Sequence, residues 1–208
     1  MSAFRSLYRH GFARVAACTV PVRLADPRHN LQQIIELARE CDASGAALAV
    51  FPELCLSGYA IDDLRQQDAL LEGVTECLVQ LKAESAAWKT LVVIGAPLVQ
   101  RDRLFNCAAV LHRGEILGII PKSYLPNYRE FYDSRHFVAG VDITGQTLRI
   151  ADQEIPFGVD LLFEALDLPG FTLGIEICED LWVPNPPSTS MAMPAPRSSA
   201  ILQRARSR

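Results

Sequence analysis

The stretch 47-ALAVFPE-53 decides the fold. Its apolar residues run on without polar alternation, so it reads as a strand covered on both faces, not as the edge of a solvated sheet. Helical patterns flank it. On the N-terminal side, Asp26-Pro27 reads as an N-cap with proline at the first helical position. Leu31, Ile34, Ile35, Leu37 and Ala38 follow at helical spacing, and Gly45 is a natural stop. On the C-terminal side, 59–68 reads as loop and short helix, and residues 70–87 repeat Leu71, Val74, Leu78 and Leu81 at helical spacing.

Working outward, 12-FARVAACTVPV-22 and 90-TLVVIGAPLV-99 read as further strands. The stretch 104-LFNCAAVLHRGEILGIIPK-122 reads as a hairpin turned at Arg113-Gly114. Residues 123–140 lack a period and read as loop with a helical turn. Segments 146–150 and 154–158 are short strand candidates, and 171-FTLGIEI-177 is a strand leading to Cys178. The order of strand, helix, strand, helix, strand, hairpin and strand predicts an α/β layered domain with helices packed on mixed sheets. In such sheets, ligands gather beyond strand ends. Glu53, Lys122 and Cys178 stand at such ends.

The 208 residues suffice for one domain with a substantial core. Half are apolar and 21% are charged, the profile of a soluble globular protein. A net charge of −4 points away from nucleic acid and from anionic membranes. No apolar run approaches the length of a transmembrane helix. The first eleven residues read as a short leader entering a strand, not as a signal peptide. Six cysteines, none in a CxxC pair and most in apolar contexts, suit reduced thiols in a cytoplasmic compartment better than a disulfide or zinc framework.

Cys178 stands out from the other five. In 172-TLGIEICEDLW-182 it lies between Glu176 and Glu179-Asp180, surroundings that oppose thiolate formation. A nucleophilic role therefore needs help from elsewhere. None of the four histidines has a context that marks it as the base. A carboxylate takes that role where burial brings its pKa toward neutral, and Glu53, at the end of an apolar run and after Pro52, is placed for it. Lys122, after Pro121 at the end of another apolar run, is placed to balance a thiolate and then an oxyanion.

Three segments, 51-FPELCLSGY-59, 121-PKSYLPNYREFYDSRHF-137 and 175-IEICEDLWVPNPPS-188, resemble the signature segments of the nitrilase, or carbon–nitrogen hydrolase, superfamily. Within it they look most like the glutaminase branch attached to glutamine-dependent NAD+ synthetases. The resemblance runs in order from about residue 12 to about residue 191. It implies a four-layer αββα sandwich and a Glu53–Lys122–Cys178 triad. Glu53 would be the general base, Cys178 the nucleophile that forms a glutamyl thioester, and Lys122 the oxyanion donor together with the Glu179 backbone N–H. Tyr128 would contact glutamine, Tyr59 and Phe131 would shape the pocket, and Glu179 would receive the substrate ammonium. Glu130 is a further candidate to support the triad from behind. The resemblance implies no cofactor for the glutaminase step; ATP and magnesium would belong to a synthetase domain that this chain lacks. It also implies L-glutamine as substrate and homo-oligomerisation in the full-length family.

The pattern stops near residue 192. Residues 184–208 hold five of the 13 prolines and four arginines, and no acidic residue follows Asp180. The expectation is a partial domain over 12–191 followed by a disordered basic tail over 192–208, the product of a shifted frame or a premature break. A free-standing amidase acting on another small amide, and an inactive fragment, are the alternative expectations. A sheet left incomplete would expose apolar surface and unpaired edges.

Overall fold

The computed structural model describes residues 6–168 and 170–193. Seven strands form one mixed sheet in the order β1-β2-β3-β4-β5-β7-β6. They are β1 (Val15–Ala17), β2 (Leu48–Val50), β3 (Leu91–Gln100), β4 (Arg103–His112), β5 (Glu115–Pro121), β6 (Gln146–Ile150) and β7 (Gln153–Phe157). β1, β2 and β3 run parallel. β3, β4 and β5 form an antiparallel meander. Its two turns, Arg101-Asp102 and Arg113-Gly114, take positive φ at both residues, the geometry that matches strand twist in a two-residue hairpin.

Helices α1 (Pro27–Ala43) and α2 (Asp68–Glu84) cover one face. Asp26 caps α1 by accepting the His29 N–H at 3.0 Å, and Pro27 occupies the first turn, where no N–H is needed. The helical spacing places Leu31, Ile34, Ile35, Ala38 and Cys41 of α1, and Leu70, Val74, Cys77, Leu78 and Leu81 of α2, in the core beneath the sheet. Each fully buried leucine or isoleucine contributes about 1.5–3 kcal/mol. Asn30 is the polar exception. Its side-chain amide donates to the Arg23 and Leu56 carbonyls at 2.8 and 3.0 Å and accepts the Arg23 N–H, which fastens the loop after β2 to the helix.

The opposite face carries a second apolar cluster. Leu48, Val93, Ala108, Val110 and Ile120 pack there against Leu161, Phe163, Ile175 and Ile177. A two-stranded sheet lies over it, β8 (Phe163–Glu164) paired antiparallel with β9 (Thr172–Leu173). The short helix α3 (Pro187–Ala192) follows, with Met191 against Gly174. Helix layer, large sheet, small sheet and short helix thus follow the αββα order, with the second half represented by small elements.

Several sequence expectations are corrected here. The strand expected over 12–22 is formed only at Val15–Ala17, because its partner β2 is three residues long and the chain turns away at Pro52. The strand expected over 171–177 pairs only at Thr172–Leu173, since β8 offers two residues; Ile175 and Ile177 still bury their side chains. The proline-rich stretch after residue 184 is not featureless: Pro187 opens a helical turn through Ala192. In the leader, Leu7–His10 is a 3₁₀ turn. The expected disordered tail, apart from Ala192 and Met193, lies outside the described residues.

Gly95 on β3 shows how the sheet aims the end of β2. A Cβ at residue 95 would overlap the backbone of Pro52, Glu53 and Leu54. Its carbonyl also accepts the Leu56 N–H at 3.2 Å. Gly95→Ala should therefore push Glu53 out of place. The expected loss is about 1–3 kcal/mol of stability, read as a lower urea midpoint at unchanged slope. A variant as stable as the wild type would show that the close approach is not required.

Candidate active site

Glu53 follows β2, Lys122 follows β5, and Cys178 follows the residues after β9; the fold brings all three to one end of the sheets. Lys122 is 1% exposed. Its Nζ donates to Glu53 Oε1 at 2.6 Å and to Asp133 Oδ2 at 3.0 Å. Burial pulls the ammonium's pKa down, and the Glu53 and Asp133 carboxylates more than offset this, leaving it above an ordinary lysine. Lys122 is therefore a fixed cation at any physiological pH. Glu53 Oε1 also accepts from Asn106 Nδ2 at 2.6 Å, so the carboxylate is held from two sides.

Cys178 begins a 3₁₀ turn (Cys178–Leu181) with φ +49°, a left-handed conformation that a side chain occupies at a cost. Leu54, next to Glu53, also has positive φ, at +51°. Of the six cysteines, all free, five are buried and Cys178 alone is exposed. Burial of its sulfur and the charge of Glu53 raise the thiol's pKa, Lys122 opposes them, and a hydrogen bond to Glu53 and the charge of Glu179 raise it further. The raised pKa favours the protonated thiol, and the Glu53 carboxylate lines the same cavity and is placed to take the proton. A cavity of about 120 Å³ beside them is lined by Glu53, Glu176, Ile177, Cys178 and apolar residues of β3 and β4.

Three aromatic rings pack edge to edge outside that cavity's lining. Tyr59 meets Phe131 edge-on with centroids 6.5 Å apart, and Phe131 meets Tyr128 at 6.0 Å. Tyr128 O–H donates to Glu179 Oε2 at 2.9 Å, so the residue after the nucleophile is tied to these rings. Tyr59 O–H is already engaged, donating to Asp133 Oδ1 at 2.6 Å. Burial and that bond push its pKa up, so it stays a neutral donor. Tyr59, Phe131, Tyr128 and Glu179 thus form a chain of contacts that ends at the residue next to Cys178.

The structure puts Asp133, not Glu130, behind the lysine. Glu130 is exposed, whereas Asp133 is 4% exposed and bonds both Lys122 and Tyr59. Asp133 sits in the aperiodic stretch 123–140, where no spacing marks it. Asn106 carried a usable signal: a single amide inside the apolar strand 104-LFNCAAVL-111 needs a buried partner. Among the described residues, no group of three or more His, Cys, Asp and Glu side chains is arranged to hold a metal ion.

A profile described as "Carbon-nitrogen hydrolase" matches residues 14–196. The chain belongs to the carbon–nitrogen hydrolase family. As a carbon–nitrogen hydrolase it is 53% identical, over 190 residues, to the glutamine-dependent NAD(+) synthetase of Mycobacterium tuberculosis (strain ATCC 25618 / H37Rv). That match covers 91% of this chain and 28% of the relative, so this carbon–nitrogen hydrolase spans little more than a quarter of the relative's length. The crystal structure of a glutamine-dependent NAD(+) synthetase from Cytophaga hutchinsonii superposes with a TM-score of 0.73 at 27% identity, over 80% of this chain and 28% of that one. An amidase from Nesterenkonia sp. shares the fold at a TM-score of 0.53 and 22% identity, over 73% of this chain and 55% of that one.

Proposed function

We propose that the chain is a glutamine amidohydrolase unit that supplies ammonia to NAD+ synthesis. The observation that carries this reading is the ion pair of the buried Lys122 with the half-buried Glu53, set against the one exposed thiol, Cys178. The raised thiol pKa calls for proton transfer to accompany attack, and Glu53, in the same cavity lining as the thiol, is the acceptor. Cys178 Sγ adds to the side-chain amide carbon of glutamine as Glu53 takes its proton. Lys122 and the Glu179 backbone N–H stabilise the tetrahedral oxyanion. Glu53 then gives the proton to the departing nitrogen, releasing ammonia and leaving a glutamyl thioester. Water, deprotonated by Glu53, attacks the thioester, and glutamate leaves as the thiol regains its proton.

The Tyr59–Phe131–Tyr128 rings support binding of the glutamine stem, and Glu179 is suited to the substrate ammonium. The reaction needs a nucleophile, a proton carrier and oxyanion donors, so no cofactor enters this step. ATP and magnesium belong with the synthetase portion of the relatives. That portion is the chain's natural partner, cytoplasmic and homo-oligomeric assembly being the accompanying expectations. Among the described residues, no helix is long and apolar enough to cross a membrane.

Ammonia release from glutamine, asparagine, acetamide and butyramide by the purified chain tests the reading. Glutamine is expected to exceed each simple amide in kcat/KM by at least ~100-fold, since those lack the ammonium that Glu179 would recognise. Equal rates across the panel would favour a general amidase. No turnover of any amide, with the thiol reactive, would overturn the glutaminase assignment for this chain.

A further inference from the structure

Asp180, two residues past the thiol, has no part in the chemistry above, yet it is 1% exposed and fully engaged. Its Oδ1 accepts the Tyr124 N–H at 2.8 Å. Its Oδ2 accepts the Ser123 N–H at 3.3 Å and the Ile177 N–H at 3.1 Å. Ser123 and Tyr124 directly follow Lys122, and Ile177 directly precedes Cys178. One buried carboxylate therefore joins the segment that carries the ammonium to the segment that carries the thiol.

The chemistry of this group fits the task. An ionised carboxylate is an acceptor only and serves three converging donors; an amide in its place would turn an NH₂ toward at least one of them. Buried donors left without an acceptor cost about 1–3 kcal/mol each. Cys178 also holds a positive φ, a conformation that persists only where the surroundings over-determine it. Burial pushes the Asp180 carboxyl above the usual carboxylate range, while the three backbone N–H groups and the Lys122 charge pull it down.

We infer that Asp180 is a positioning residue of the amide-hydrolysing site: it clamps the Lys122 and Cys178 segments together and so sets the distance between ammonium and sulfur. The inference rests on the proposed glutaminase reading for its catalytic consequence. Its geometric content, the reactivity of Cys178, is measurable without glutamine.

The test uses the 208-residue chain with Asp180→Asn and Asp180→Ala. Alkylation of Cys178 by iodoacetamide is followed by intact mass across pH, with Cys178→Ala as background, alongside glutamine kinetics and thermal unfolding. Loosening the clamp should move the cation away from the sulfur. The alkylation midpoint is then expected to rise by ~0.5–1 pH unit, with labelling at pH 7.5 falling several-fold and kcat falling ~10–100-fold against less than threefold in KM. Asn should retain more than Ala. A variant that melts earlier yet keeps the wild-type alkylation profile and kcat would overturn the inference, showing a purely structural role. If both variants fail to fold, hydrogen exchange in the wild type decides. Ser123, Tyr124 and Ile177 amides protected like the β4–β5 ladder support the clamp; exchange at open-loop rates overturns it. A wild type that hydrolyses no glutamine, with a Cys178 profile still shifted in Asp180→Asn, would sink the glutaminase reading and leave the clamp standing.

Discussion

Cys178→Ala is expected to lower glutamine hydrolysis by at least ~10³-fold, to the background of the assay, while the thermal midpoint stays within about 2 °C of the wild type. The activity loss follows from chemistry: without sulfur no thioester forms, and neither Glu53 nor Lys122 replaces the nucleophile. The small stability change follows from position. Cys178 is exposed, in contrast to the five buried thiols, so trimming it to alanine opens no cavity. Removing the sulfur also spares the Glu53–Lys122–Asp133 network, whose bonds do not pass through it. Ammonia release measured beside differential scanning calorimetry checks both halves. Residual turnover within tenfold of the wild type would mean that the nucleophile lies elsewhere.

Lys122→Met should damage stability and activity together. The side chain is wholly buried, with Glu53 on one side and Asp133 on the other. Methionine preserves much of the volume but leaves two carboxylates facing each other without a cation. Breaking a buried pair from one side costs about 3–5 kcal/mol, and here two partners are stranded. At this chain length that corresponds to a fall in Tm on the order of 10 °C. Loss of the oxyanion donor should lower kcat by a further ~10²–10³-fold in the fraction that remains folded.

The pH dependence has a definite sign. The folded ammonium titrates above an ordinary lysine, so its stabilising contribution is complete at neutral pH and is lost as pH rises through the folded value. The stability gap between wild type and Lys122→Met should therefore be flat around pH 7 and narrow only in strongly alkaline buffer. Lys122 also holds the Cys178 pKa down. The iodoacetamide midpoint of Cys178 should accordingly move to higher pH in the methionine variant. A Tm equal to that of the wild type would show that the carboxylates are relieved in some other way.

Much of this was legible in residue patterns. The unbroken apolar run 47–51 marked a strand with layers on both sides; Ala49 and Phe51 are buried in the core under α1 and α2 and Leu48 in the cluster with Phe163 and Ile177, but Val50, on the face of Leu48, is 40% exposed, so that face is only partly covered. Asp26-Pro27 marked the start of α1, and Arg113-Gly114 marked a hairpin turn with positive φ. These signals are local: a cap, a turn or a face is specified by residues within one or two turns of one another. Strand lengths were less legible. The apolar stretches 12–22 and 171–177 look alike on paper, but a strand extends only as far as its neighbour supplies backbone partners, and β2 and β8 are short.

The site divides in the same way. Glu53, Lys122 and Cys178 were each marked by an abrupt ionisable or nucleophilic residue at the end of an apolar run. By itself, the sequence determined which groups sit at strand ends and that Cys178 lies among acids. Only the tertiary structure decided that Lys122 is shared between Glu53 and Asp133, that Asn106 steadies Glu53 from the middle of β4, and that Asp180 ties the two loops. The reason is physical. Ion pairing and hydrogen bonding depend on distances of about 3 Å between atoms that the chain separates by many residues. Those distances exist only once the sheets have been registered and packed.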